Sequence, residues 1–177
     1  MEPPGRPEAM TSRQSIRSVL FVCTGHICRS PTAEGVLRRR LAESGLDGVV
    51  RVDSCGTHDY HVGEPPDARS RRHAKARGYD LSALRARQLA AEDFERFDLL
   101  LVADESHLFH LHSLAAPQQR GKVRLLMDYA PYSGLREVPD PYYGGAEGFE
   151  RVLDLIEAAV DGVMAAITQA AGAGRER

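Results

Sequence analysis

Apolar positions along the chain fall into short unbroken runs separated by longer mixed stretches. The runs at Arg17–Val22, Val49–Asp53, Phe97–Ala103 and Val123–Met127 predict four strands buried on both faces. Between them, Thr32–Ser44 predicts a helix closed by Gly45, and Ala68–Arg77 a helix with Gly78 past its end. Asp104 is placed as the N-cap of a helix that stops near Pro117. A long loop, DYAPYSGLREVPDPYYGGAEG, then leads to a final helix from about Phe149 to Ala170. Strands that alternate with helices predict an α/β fold: a four-stranded parallel sheet flanked by helices on both faces. No internal repeat or linker breaks the pattern, so residues 16–170 are expected to form one domain.

Composition narrows the function class. The formal net charge of −2 carries no footprint of a nucleic-acid partner. No apolar stretch is long enough to span a membrane. The first residues, MEPPGRPEAMTSRQS, lack the apolar core of a signal peptide, and residues 1–15 are expected to be disordered. Residues 171–177 read as a flexible tail. Three cysteines, an odd number without framework spacing, fit a reducing compartment, so a cytoplasmic location is expected, as a monomer or weak homodimer.

The candidate chemistry lies in CTGHICRSP, between the first strand and the first helix. In open parallel sheets, sites form at the carboxyl ends of strands, which is where Cys23 falls. The backbone N–H groups of Thr24, Gly25, His26, Ile27, Cys28, Arg29 and Ser30 can curl into an anion nest at a helix N-terminus, with Gly25 expected to supply a positive φ. Arg29 offers a planar fork of donors to an oxyanion. A cysteine facing such a well should be acidified to somewhere in the roughly 3.5–7.5 range of activated thiols, and Ser30 could hydrogen-bond its sulfur. The competing reading is a small buried cysteine that only packs. Nucleophilic attack on a phosphate ester also needs a proton for the leaving oxygen. Asp140, held between Pro139 and Pro141 on the long loop, is the candidate; alone it would pass for an ordinary turn aspartate.

These segments together resemble the low-molecular-weight protein tyrosine phosphatases. The resemblance rests on CTGHICRS and DPYYGG, with VDSCGTHDYHVGEPPD, RARQL, EDFERFD and DESHL in the family's order between them, and covers about Ser18 to Ile167. It implies a four-stranded parallel sheet, a phosphotyrosine-containing protein as substrate, and neither metal nor organic cofactor. It implies Cys23 as nucleophile, Arg29 as phosphate clamp, Ser30 as support for the thiolate and Asp140 as acid, then base. Ser54 and Asp104 match positions that support the loop, although each also reads as a turn residue or helix cap. Two positions depart from the family pattern: His26 stands where asparagine is usual, and Leu84 where histidine is frequent. The two departures together point either to a rebuilt hydrogen-bond network, with an imidazole in place of the amide, or to a looser loop with lower activity.

Tyr60, Tyr142 and Tyr143 would give aromatic walls to the pocket, and Ile27 an apolar contact at its centre. Relatives that hydrolyse phosphoarginine tend to carry threonine at the Ile27 position, so phosphotyrosine is the expected substrate. A thiol-linked arsenate reductase would need more cysteines than Cys55 beyond Cys23 and Cys28. A protein-arginine phosphatase and a non-catalytic phosphotyrosine-binding module are the other readings. Cys28 shares the loop with Cys23, so a protective disulfide between them is a further expectation, one the resemblance also implies.

Overall fold

A computed structural model of the protein describes residues 15–142 and 144–173. Its strands are β1 (Ser18–Cys23), β2 (Arg51–Gly56), β3 (Leu99–Val102) and β4 (Val123–Leu125). Its helices are α1 (Arg29–Glu43), α2 (Ala68–Ala76), α3 (Asp93–Arg96), α4 (Glu105–Leu114) and α5 (Ala146–Ala173), with short 3₁₀ turns around β4. The four strands form one parallel sheet in the order β2-β1-β3-β4, as the apolar runs predict.

Alternation along β1 explains why its run is unbroken. Val19, Phe21 and Cys23 point to one face, against α1 and α5 residues such as Val36, Leu37, Ile156 and Val160. Leu20 and Val22 point to the other, with Phe94, Phe97 and Leu111 from the α3–α4 side. From Val19 to Val22 both faces are covered by apolar clusters, so no polar side chain interrupts the run there. Fully burying each such apolar residue is worth roughly 1.5–3 kcal/mol.

Several boundaries differ from expectation. β2 extends to Gly56 because β1 pairs with it through Cys23↔Gly56. β4 stops at Leu125, where Leu126–Tyr129 tightens into a 3₁₀ turn. α4 ends at Leu114 because Ala115 is extended. The one-turn α3 is too short to show a helical period in sequence. α5 runs to Ala173, three residues beyond the predicted tail boundary, while residues 1–14 and 174–177 lie outside the described residues.

Candidate active site

β1 delivers Cys23 to the carboxyl edge of the sheet, residues 24–28 curl, and α1 starts at Arg29. No side chain caps α1, so the N–H groups of its first turn are left for another acceptor. The positive φ of the curl falls on His26, at 60°, and Gly25 is not among the positive-φ glycines. This corrects the expectation for Gly25. Its lack of a side chain matters for space, because a Cβ there would stand 2.9 Å from the His61 ring. Gly56 is needed for a similar reason: a Cβ would meet Thr24 O at 2.6 Å and His26 N at 3.0 Å.

Cys23 is buried, with its Sγ 3.4 Å from Ser30 N and 3.0 Å from Ser30 Oγ. The Ser30 hydroxyl can also donate to Cys55 O, at 3.2 Å. It has one proton for two acceptors, so it can turn toward sulfur when the sulfur becomes anionic. Arg29 is buried and donates from Nη1 to Asp104 Oδ2 (2.9 Å) and to Val138 O (3.0 Å). Val138 N in turn donates to Ala103 O, at 2.8 Å. The loop bearing Asp140 is thereby pinned to the end of β3. Asp140 is half exposed, with Oδ2 3.8 Å from Arg29 Nη2 and Oδ1 accepting from Tyr142 N at 3.0 Å.

His26 is held at both ring nitrogens. Nδ1 accepts from Arg87 N at 2.8 Å, so the ring proton sits on Nε2 and goes to Ser54 Oγ at 2.6 Å. Ser54 donates onward to Glu34 Oε1 at 2.6 Å, and Glu34 Oε2 accepts from Arg38 Nε at 2.6 Å. Burial lowers the His26 pKa to about 4, against the pull of Asp53, so the ring is neutral. Burial raises the Glu34 carboxyl, opposed by the hydrogen bonds from Ser54 and Arg38. Leu84 is partly buried and packs on the α1 side of the core. The loop network is therefore built from His26, Ser54 and Glu34.

Asp104 caps α4 by accepting from His107 N. Burial alone would raise its carboxyl, but Ser106, His107 and Arg29 together hold it below the usual range. Burial also lowers the His107 pKa to about 4, and Asp104 pulls the other way. Burial pushes the Cys28 thiol up to about 12.

A cavity of about 350 Å³ is lined by Cys23, Ile27 and Arg29 together with Asp140, Tyr142, Tyr60 and His61. Tyr60 is 67% exposed and stacks on His58, with ring centroids 4.9 Å apart. Tyr143 lies outside the described residues. Glu34, Gly56, Arg87, His61 and His107 are the contributors that sequence reasoning missed. Glu34 left only the trace of a Glu–Arg pair at i,i+4 with Arg38, which also reads as an ordinary helix-surface pair. A larger groove, about 520 Å³, lies between α2 and residues 78–82, but no cysteine lines it, so size does not locate the chemistry. Among the described residues, no group of three or more His, Cys, Asp or Glu side chains is arranged to hold a metal ion.

The two buried imidazoles make stability depend on pH. Their pKa is about 4 in the folded chain and 6.5 in the unfolded chain. Between those values the unfolded chain binds more protons, so stability is full above about pH 6.5 and falls on acidification towards pH 4. Each can remove up to roughly 3 kcal/mol, and the raised Glu34 works in the opposite sense. The melting temperature should fall from pH 7 to pH 4.5, less steeply in His26→Asn; an equal slope in both proteins would show that His26 is not protonated on unfolding.

A family model described as low molecular weight phosphotyrosine protein phosphatase matches residues 18–172. A low molecular weight protein-tyrosine-phosphatase of Streptomyces coelicolor is 46% identical over 155 residues, covering 85% of this chain and 93% of that protein. The crystal structure of YfkJ from Bacillus subtilis superposes with a TM-score of 0.82 at 36% identity, covering 88% of this chain and 97% of that one. DARP, a Drosophila arginine phosphatase, superposes with a TM-score of 0.78 at 31% identity, covering 83% and 95%. With a parallel sheet that ends in a CX5R loop and this breadth of likeness, the chain belongs to the low molecular weight phosphotyrosine protein phosphatase family.

Proposed function

We propose that the protein hydrolyses phosphotyrosine and aryl phosphate monoesters in phosphoprotein substrates through a cysteinyl-phosphate on Cys23. The observation that carries this reading is that Cys23, Arg29 and Asp140 line one cavity at the uncapped start of α1. The loop N–H groups and Arg29 bind the phosphate oxygens, and Cys23 Sγ attacks phosphorus from below. As the P–O bond breaks, Asp140 gives its proton to the phenolic oxygen. Asp140 then takes a proton from water as the water attacks the cysteinyl-phosphate, and the sulfur leaves as thiolate. Ser30 N–H and the turned Ser30 hydroxyl stabilise that thiolate. Ile27, Tyr60 and Tyr142 serve as the rim, while Ser54 and Asp104 support the loop and Arg29.

Arsenate reduction is disfavoured by the third cysteine. Cys55 belongs to the core on the opposite face of the sheet from Cys23, and burial raises its thiol well above the usual range. A Cys23–Cys28 disulfide is slowed by the tightly held proton on Cys28. Net charge −2 speaks against nucleic acid as a partner, no described helix is long and apolar enough to cross a membrane, and the three free cysteines suit a reducing cytoplasm. Action as a monomer or weak homodimer completes the reading.

The likeness to an arginine phosphatase makes the leaving group the point to test. Ile27, only 9% exposed, packs with Cys28, Ala86 and Phe149 and faces the cavity with an apolar chain. Wild type should have a higher kcat/KM for a phosphotyrosyl peptide than for phosphoarginine, and should not consume arsenate with thioredoxin. Ile27→Thr should shift the ratio toward phosphoarginine, by roughly tenfold if one buried apolar contact is exchanged for a hydroxyl. An unchanged ratio removes Ile27 as a selectivity element, and preferential turnover of phosphoarginine by wild type reverses the substrate assignment.

A further inference from the structure

We propose that Thr24 and His107 are positioning residues that orient the Arg29 guanidinium through a ring of three hydrogen bonds and one close imidazole–carboxylate contact with Asp104. The proposal rests on the phosphatase reading above. It begins from His107, a buried imidazole that the mechanism does not use and the cavity does not expose.

The direction of every bond follows from what each group can donate. A guanidinium only donates, so Arg29 Nη2 gives a proton to Thr24 Oγ1, at 3.3 Å. A carboxylate only accepts and Asp104 Oδ1 faces His107 Nδ1, so the neutral ring keeps its proton on Nδ1 and Nε2 accepts the Thr24 hydroxyl proton, at 2.8 Å. Nδ1 is buried without a well-angled hydrogen bond, and it lies 3.2 Å from Asp104 Oδ1. The other carboxylate oxygen, Oδ2, accepts from Arg29 Nη1 at 2.9 Å, and the ring closes. Burial, with Arg29 and His58 nearby, keeps His107 neutral against Asp104 and Asp140, which is the state the ring requires.

The ring does something that the Arg29–Asp104 ion pair cannot do alone. Asp104 and Val138 both hold Nη1, and a planar fork held at one nitrogen can still swing about that point. The Thr24 contact holds Nη2 and fixes the plane. Thr24 follows the nucleophile directly in sequence, so the same tie couples the plane of Arg29 to the position of Cys23. A hydroxyl that accepts and donates, and an imidazole that accepts at one nitrogen and donates at the other, are what the circuit needs at these two places.

The test measures competitive inhibition by inorganic phosphate and turnover of p-nitrophenyl phosphate, with melting temperature alongside. Thr24→Val and His107→Leu should each weaken phosphate inhibition and lower kcat/KM by roughly tenfold, the range of one hydrogen bond to a charged group. Thr24→Ser and His107→Gln, which keep the hydroxyl and the acceptor, should stay near wild type. The double variant Thr24→Val/His107→Leu should be no worse than its poorer parent, because both changes open one ring. Losses that multiply in the double variant, or equal phosphate inhibition of wild type and Thr24→Val, overturn the proposal. Loss in Thr24→Ser equal to that in Thr24→Val does the same. The threonine pair decides the matter even if His107→Leu does not fold. A wild-type protein that neither binds phosphate nor turns over p-nitrophenyl phosphate would instead remove the phosphatase reading beneath it.

Discussion

Cys23→Ser should abolish turnover and leave oxyanion binding almost intact. The two functions use different atoms. In the proposed mechanism phosphate is held by the loop N–H groups and by Arg29, which Asp104, Val138 and Thr24 keep in place without help from the sulfur. The attack needs the sulfur itself, since a serine hydroxyl in the same place is a far weaker nucleophile and no base stands beside it. Ser30 N and Oγ surround that position, and they stabilise an anion rather than remove a proton from an alcohol. The fall in kcat should be at least about 10⁴-fold, in the range seen when a covalent nucleophile is removed. Release of p-nitrophenol gives the rate, and calorimetric titration with inorganic phosphate gives the binding. A variant with near-wild-type turnover would sink the cysteinyl-phosphate mechanism.

Asp140→Asn should cost about 10²–10⁴ in kcat on substrates with poor leaving groups. The variant keeps an amide oxygen able to accept from Tyr142 N, so the loop should keep its shape. In the proposed mechanism the lost group is the acid that protonates the departing oxygen. Aryl phosphates whose phenol is already strongly acidic need that proton least and should lose least. A series of aryl phosphates graded by phenol acidity gives the slope of log kcat on leaving-group pKa, which should be steeper in the variant. Parallel slopes, with equal loss throughout, would take the acid role from Asp140.

The parts that could be read from the chain were those whose cause is local. The two central strands, β1 and β3, carry unbroken apolar runs at residues 19–22 and 99–102 because both faces of the sheet are covered there, and that leaves a mark in consecutive residues. Cys23, Arg29 and Ser30 share one turn, so their spacing alone suggested an anion loop. Asp140 gained meaning only when paired with them across the length of the chain. What could not be read depends on contacts between distant segments. Arg87, from the segment before α3, donates to His26, and Glu34, from α1, accepts from Ser54, which the resemblance marks as a loop support. His107 reaches Thr24 from α4. Nothing at residue 107 in sequence distinguishes a buried acceptor from a surface histidine. Gly25 misled because the flexible residue of a tight loop was expected to take the unusual dihedral, whereas His26 takes it, with both of its nitrogens anchored.

β1 is an interior strand, paired on one side with β2 and on the other with β3. The reactive sulfur is therefore attached to the segment that should be last to come apart. Fraying at the edge strand β4 can proceed without disturbing it, and displacing the backbone that carries the sulfur requires the loss of pairing to both β2 and β3. A nucleophilic thiol set free on a half-open molecule would be a hazard in a cell, open to mixed disulfides and irreversible oxidation. Here the half-open forms that fluctuation reaches first keep that thiol at its place in the cavity beside Ser30, so its geometry is lost only when the central strand comes apart.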